Sequence, residues 1–141
     1  MKVKEAMTRN PRIAAPGQSI RDIAKIMAET DTGFIPVGEN DKLVGMITDR
    51  DIAVRGVARG KGPDTLVKDV MTGDVKYCYE DEDLNHVAKN MAEIQVRRLP
   101  VMNRDKRLVG ILTIGDVAQS DMKAAMGALA GTSRPHAQAT A

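Results

Sequence analysis

The chain has no tryptophan, one phenylalanine and two tyrosines among its 141 residues. Aliphatic side chains and nine methionines must therefore fill its core, and methionine is an adaptable filler of irregular gaps. Cysteine is as scarce. The single Cys78 excludes an internal disulfide and fits a reducing compartment. An excess of either charge is missing too: 21 Lys and Arg stand against 19 Asp and Glu, a net of +2. So balanced a chain offers no electrostatic footprint for nucleic acid or a membrane surface. No apolar run approaches the ~18–20 residues of a membrane span, and none follows a basic start as in a secretory leader. The expected address is cytoplasmic.

Signatures of catalysis are also missing. Cys78, His86 and His136 share no metal-ligand spacing, and no Ser-His-Asp or Cys-His arrangement can be read. No glycine-rich phosphate loop of the Walker or dinucleotide type occurs. Cys78, in an apolar stretch, reads as a buried thiol, and His86, off its helix stripe, as a solvated surface residue. The acidic run Glu80–Asp83 reads as a solvated helix entry. No enzyme activity, metal or cofactor is expected.

What is present is a repeat, the feature to seek first because missing it miscalls the fold. Shifted by 64 positions, VKEAMT (Val3–Thr8) falls on VKDVMT (Val67–Thr72), and SIRDIAKIMAE (Ser19–Glu29) on DLNHVAKNMAE (Asp83–Glu93). At the same shift Ile35–Val37 lands on Leu99–Val101. One inserted residue later, LVGMITDRDIA (Leu43–Ala53) matches LVGILTIGDVA (Leu108–Ala118). Two copies of so long a period make a duplicated subdomain, with hydrophobic residues at 43%, enough for a core. The boundaries expected are 3–59 for the first repeat, 60–66 for a connector and 67–126 for the second. The tail, 127–141, is small and polar and is expected to be disordered.

Each copy spells the same elements. A lead ending in Met-Thr is followed by a few extended residues, around Ile13 and around Tyr77 to Tyr79. Ile20, Ile23, Ala24 and Met27, and again Leu84, Val87, Ala88 and Met91, have the i, i+3, i+4, i+7 spacing of a helix facing a core. Ser19 and Asp83 stand where N-caps belong. Apolar runs flanking GENDK and NRDKR predict hairpins, and second helices are expected over about Asp49–Arg59 and Ile114–Met126. Each copy alone leaves too much apolar surface uncovered. The expected fold class is α/β, the two repeats packed sheet to sheet as a pseudo-twofold pair.

The order Met-Thr, strand, helix, x-x-Pro-Val, hairpin, Gly-x-[Ile/Leu]-Thr-x-x-Asp resembles a CBS domain, and two in tandem resemble a Bateman module. The match covers about Val3 to Met122. It implies regulatory binding of an adenosine-type ligand (AMP, ADP, ATP, S-adenosylmethionine or an NAD-like dinucleotide) in clefts between the repeats. The resemblance places the ribose on the Asp of Thr-x-x-Asp, here Asp51 and Asp116, with Thr48 and Thr113 near ribose or phosphate. It also implies that the lead of one repeat completes the cleft of the other, bringing Thr8 toward Asp116 and Thr72 toward Asp51. Where family members with phosphate-bearing ligands often carry His-Arg, this chain has Arg97 and Arg98, and a guanidinium offers forked donors suited to phosphate. The first repeat has Gly33 and Phe34 there and adds Asp49 at the helix start, where the second has Ile114. The Asp116 cleft is therefore the preferred site.

A second reading of Thr-x-x-Asp needs no ligand. At a helix start it is close to a capping box, each residue satisfying the other's backbone. Two functions thus compete: a ligand-sensing module that signals to a protein partner in trans, and a structural or interaction module with empty clefts. A homodimer is expected in either case. Ile52, Val54, Val57, Val117, Ala118, Met122, Ala125 and Met126 exceed what one face of a small half needs.

Overall fold

Residues 1–133 are described by the computed structural model. The chain opens with α1 (Val3–Ala6) and β1 (Thr8–Arg9), then α2 (Ile20–Thr30), β2 (Phe34–Glu39) and β3 (Lys42–Thr48). A π-type turn, Asp51–Gly56, follows, with 3₁₀ turns at Val57–Arg59 and Val67–Asp69. Next come β4 (Cys78–Tyr79), α3 (Leu84–Ile94), β5 (Arg98–Met102), β6 (Leu108–Thr113), α4 (Ile114–Ser120) and α5 (Met122–Thr132). No helix among the described residues is long and apolar enough to cross a membrane.

These elements gather into two compact units, and each unit takes the other repeat's lead. Unit 1 joins Met1–Asn10 to Tyr77–Asp105 and Val109 onward, and unit 2 comprises Pro11–Lys76 with Lys106–Leu108. In unit 1 the strand order is β1-β6-β5-β4, with β1 antiparallel to β6 and β4 parallel to β5. Unit 2 repeats this order in reduced form. Its β2–β3 hairpin is flanked by single bridges, Ala14 with Val37 on one side and Thr72 with Met46 on the other.

Local sequence explains the elements. Ser19 accepts from the Asp22 N–H at 3.2 Å and Asp83 from the His86 N–H at 3.1 Å, so each opens its helix as an N-cap. The first hairpin turns on Asn40 and Asp41, both left-handed (φ 54° and 63°), the geometry of a two-residue type I′ turn that Asn and Asp tolerate. The second hairpin spends its inserted residue in the Asn103–Arg107 loop, where Lys106 alone is left-handed (φ 61°).

Each unit has its own core. Leu84, Val87, Met91, Leu99, Val101, Leu112 and Val117 cluster with Val3 of the lead in unit 1. Ile20, Ile23, Ile35, Val37 and Ile47 cluster with Val67 and Val70 in unit 2. Removing one such aliphatic side chain from water contributes about 1.5–3 kcal/mol.

Four expectations require correction. Ala24 is exposed, whereas its counterpart Ala88 is buried. The cause is α5, which packs on α3 and seats Ala128 in the unit 1 core; among the described residues α2 carries no such helix and buries Met27 with partly buried Ile26 instead. The helix expected over Ile114–Met126 is broken at Asp121, whose extended backbone (φ −152°) ends α4 and stands in the N-cap position of α5. That second helix then runs to Thr132, through the first part of the tail expected to be disordered. Burial of Ala128 and a hydrogen bond from Gln95 Nε2 to the Gly131 carbonyl at 3.3 Å supply what the composition did not advertise. Residues 134–141 of that expectation lie outside the described residues. Finally, Val117 belongs to the unit 1 core rather than to any apolar surplus, and Ile52 and Ala118 are only half-exposed. The side chain of Ala125 lies outside those described.

Candidate functional site

In unit 1 the corner between β6 and α4 is built by Thr113 and Asp116. Thr113 has extended backbone (φ −116°, ψ 162°) and caps α4, its hydroxyl accepting from the Asp116 N–H at 3.0 Å. Asp116 returns the contact, its Oδ2 accepting from the Thr113 N–H at 3.0 Å. The capping box is complete, and four-atom reciprocity of this kind satisfies two orphan donors of a helix start.

A third residue arrives from 108 positions away. Because β1 pairs with β6, Thr8 lies beside this corner, and its hydroxyl donates to Asp116 at 3.3 Å from Oδ1 and 3.4 Å from Oδ2. One hydrogen shared between two oxygens makes each contact weak. Among the described residues, Oδ1 of half-exposed Asp116 takes no other hydrogen bond, so it keeps acceptor capacity for a hydroxyl from outside.

Arg97, just before β5, is tied to this corner through its backbone, and Arg98 opens the strand. The Arg97 carbonyl accepts from the Ile114 N–H at 3.1 Å, tying the start of β5 to the start of α4. Both side chains are exposed, and Arg97 Nη2 donates to the Ser133 hydroxyl just after α5 at 3.1 Å. One carboxylate, the amino end of α4 and the backbone of Arg97 thus meet at one corner, with two exposed cations rooted at Arg97 and Arg98.

Unit 2 repeats the box with a different third partner. Thr48 Oγ1 accepts from the Asp51 N–H and Asp51 Oδ2 from the Thr48 N–H, both at 3.0 Å. Thr72, however, is held by Arg55, whose Nη1 donates to the Thr72 hydroxyl at 3.3 Å and to the Met71 carbonyl at 3.1 Å. Among the described hydrogen bonds none joins Thr72 to Asp51. Arg55 was not among the residues singled out by the sequence. Its signal was a basic residue late in a helix whose repeat-2 counterpart is Ser120, a difference that only the folded neighbour Thr72 makes meaningful.

Elsewhere the chemistry is quiet. Burial, reinforced by the charge of Glu82, pushes the Cys78 thiol up to about 12, which leaves it neutral and unreactive. The Arg104 guanidinium, hydrogen-bonded to Asp81 at 2.9 Å and lying over the Tyr79 ring, holds the Asp81 carboxyl below the usual range. No group of three or more His, Cys, Asp and Glu among the described residues could hold a metal ion. A groove of about 630 Å³ in unit 1, between α3 and α5, is lined by Asp83, His86, Lys89, Asp121 and Ala128 and includes none of the Thr-x-x-Asp residues. It is open and carries no convergent chemistry, so the corners remain the better candidates.

A profile of the CBS domain matches residues 3–56 and 67–123. The chain belongs to the CBS-domain family. Among similar proteins, the CBS domain-containing protein YhcV of Bacillus subtilis is 38% identical over 120 residues, covering 85% of each chain. The CBS domain pair of protein MJ0100, solved with 5′-methylthioadenosine and S-adenosylmethionine, superposes with a TM-score of 0.76 at 31% identity, covering 87% of this chain and 97% of that one. CBSX2, solved in complex with AMP, gives a TM-score of 0.75 at 27% identity over 86% and 96% of the two chains. The fold is that of a tandem CBS pair, and relatives of this pair bind adenosine derivatives.

Proposed function

We propose that this protein is a regulatory module that binds an adenosine phosphate at the Thr113–Asp116 corner and passes the occupancy to a protein partner in trans. The observation that carries the reading is the spare acceptor of Asp116 in a corner tied to the backbone of Arg97, with the side chains of Arg97 and Arg98 exposed, a carboxylate for a ribose and guanidinium groups for a phosphate. Thr8 is the natural third contact, and its weak, shared bond is one that a ribose hydroxyl can replace. A ligand here shifts the partner's equilibrium only by its differential affinity for two states of the module. We place it in the cytoplasm, as an energy-sensing device without catalysis of its own.

Calorimetry with AMP, ADP, ATP and S-adenosylmethionine tests the assignment. Arg98→Ala is expected to weaken phosphate-bearing ligands about tenfold, roughly 1.5 kcal/mol for one charge-assisted contact, and to leave adenosine itself unaffected. Equal affinity for AMP before and after the substitution removes the phosphate role.

The competing reading, a structural module with empty clefts, is favoured by the completeness of both capping boxes. Failure of every adenosine compound to raise the melting temperature would decide for it, since a folded-state ligand at a hundredfold excess stabilises by about 2.7 kcal/mol.

We also assign a homodimer. Val54, Val57, Met122, Met126 and Leu129 are 40–68% exposed, more apolar surface than a small chain keeps in water without use. Light scattering across a micromolar dilution series is expected to give twice the chain mass of 15.3 kDa; a mass of one chain throughout removes the dimer.

A further inference from the structure

The two corners share their capping boxes and differ in the charge beside them. In both, the residue after the capping threonine donates its N–H to the carbonyl of the residue before the x-Pro-Val strand: Asp49 to Gly33 at 2.9 Å, Ile114 to Arg97 at 3.1 Å. The backbone is therefore tied in the same way at both corners, while the side chains beside it differ.

At position 33 there is no side chain, and the Asp49 carboxylate has moved into the space. A Cβ built on Gly33 would lie 2.5 Å from Asp49 Oδ2, 2.7 Å from Cγ and 2.9 Å from Oδ1. Where unit 1 roots a guanidinium, at Arg97, unit 2 seats a carboxylate. This is a charge inversion at one place in the motif, made by two residues acting together: glycine vacates the place and aspartate fills it. A hydrogen bond from the Arg50 N–H to Asp49 Oδ1 at 2.9 Å holds the carboxylate there.

The basic residue later in this turn is already engaged. Arg55 Nη1 is held by the Met71 carbonyl and the Thr72 hydroxyl. The Thr48–Asp51 corner thus presents two carboxylates, Asp49 and Asp51, against the one exposed cation between them, Arg50, and has Gly33 and Phe34 where unit 1 has Arg97 and Arg98. A phosphate group placed there meets like charge on a surface where its own solvation must be partly given up, and like charge disfavours it.

We infer that Asp49 is a specificity determinant which closes the Asp51 corner to phosphates and reserves it for a nucleoside whose 5′ substituent is uncharged or cationic. This rests on the adenosine-binding reading above and extends it: one chain carries two corners of opposite charge preference, so it can register an anionic and a non-anionic adenosine compound at once. An uncharged 5′ group and a cationic one share the same recognition, tolerance of a nearby carboxylate. They separate on whether that carboxylate attracts, which only the cation feels.

The test is isothermal titration of the full chain and of its Asp49→Asn variant, which keeps the side-chain shape and removes the charge. The probes are AMP, 5′-methylthioadenosine and S-adenosylmethionine. The wild type is expected to bind one AMP per chain, and Asp49→Asn to bind two, the new site tighter by at least tenfold than any second wild-type event. 5′-Methylthioadenosine is expected to bind both forms alike, and a severalfold loss of S-adenosylmethionine in the variant identifies the cationic case. Two equal AMP sites in the wild type, or an AMP stoichiometry that the variant leaves at one, overturns the role of Asp49 while the adenosine reading stands. Binding of no probe to either form removes both.

Discussion

Gly110→Ala is expected to lower folding stability by about 3 kcal/mol, the upper end of what overpacking a well-filled site costs. An added Cβ would lie 2.7 Å from Met7 Sδ, 2.7 Å from the Thr8 carbonyl oxygen and 3.1 Å from Met7 Cγ. The thioether could swing away, but the carbonyl belongs to β1, whose two residues pair with Gly110 and Ile111. Moving it undoes the pairing and uncovers the core around Met7 and Val3. Against this stands the smaller loss of chain entropy in an unfolded Ala chain, worth about 0.4–1 kcal/mol in the opposite direction. The steric term wins. Gly45→Ala should behave alike, since its Cβ would lie 2.7 Å from Met71 Sδ and 2.8 Å from the Thr72 carbonyl. Gly73→Ala, which meets nothing within 4 Å, is the control and should stay within about 0.5 kcal/mol of wild type. Urea denaturation of the three variants decides; a neutral Gly110→Ala would mean that the lead is not held against β6 as described.

Asp116→Ala is expected to weaken AMP by at least a hundredfold, about 3 kcal/mol, because a charged acceptor for two ribose hydroxyls contributes about 1.5–3 kcal/mol per bond. It also removes half of a capping box, for about 1 kcal/mol of stability. The two effects separate with Asp116→Asn, whose amide oxygen can still accept from the Thr113 N–H but offers no charge. Stability should return toward wild type while AMP affinity stays low. Asp51→Ala supplies the internal comparison, since it breaks an identical box in unit 2 and should leave AMP affinity unchanged. Affinity that follows stability across all three variants would reduce Asp116 to a cap.

The motif that repeats most faithfully, Gly-x-x-Thr-x-x-Asp, turns out to be shared between two demands. Thr and Asp close the helix, and Gly admits the crossing lead. Its spacing was readable from the chain, as were the hairpins, because Asn40-Asp41 and the alternation around it act locally. The burial of Ala24 against that of Ala88 was not readable. Both sit at the same place in the same stripe, and what separates them is α5, which packs on α3. Arg55 was equally hidden, because its partner Thr72 is 17 residues away and joins through a bridge rather than a regular strand. Asp49 was visible as a charge but not as an occupant of the place left by Gly33. Local patterns carry local structure; the charge of a corner depends on which side chain moves into an empty position.

The crossing of the leads also sets an order of assembly. Unit 2 is nearly continuous, Pro11–Lys76, so all but three of its residues have been synthesised before α3 exists. Unit 1 must wait. Its first strand emerges at once but pairs with a partner about a hundred residues later, and Thr8 meets Asp116 only when the chain is almost finished. Until then β1 has no partner strand, and an unpaired edge is where strands from other molecules join. A ribosome-bound chain therefore carries a folded first half and an N-terminal arm in search of a sheet, and damage to that arm should surface as misassembly during synthesis as well as in a weaker finished protein.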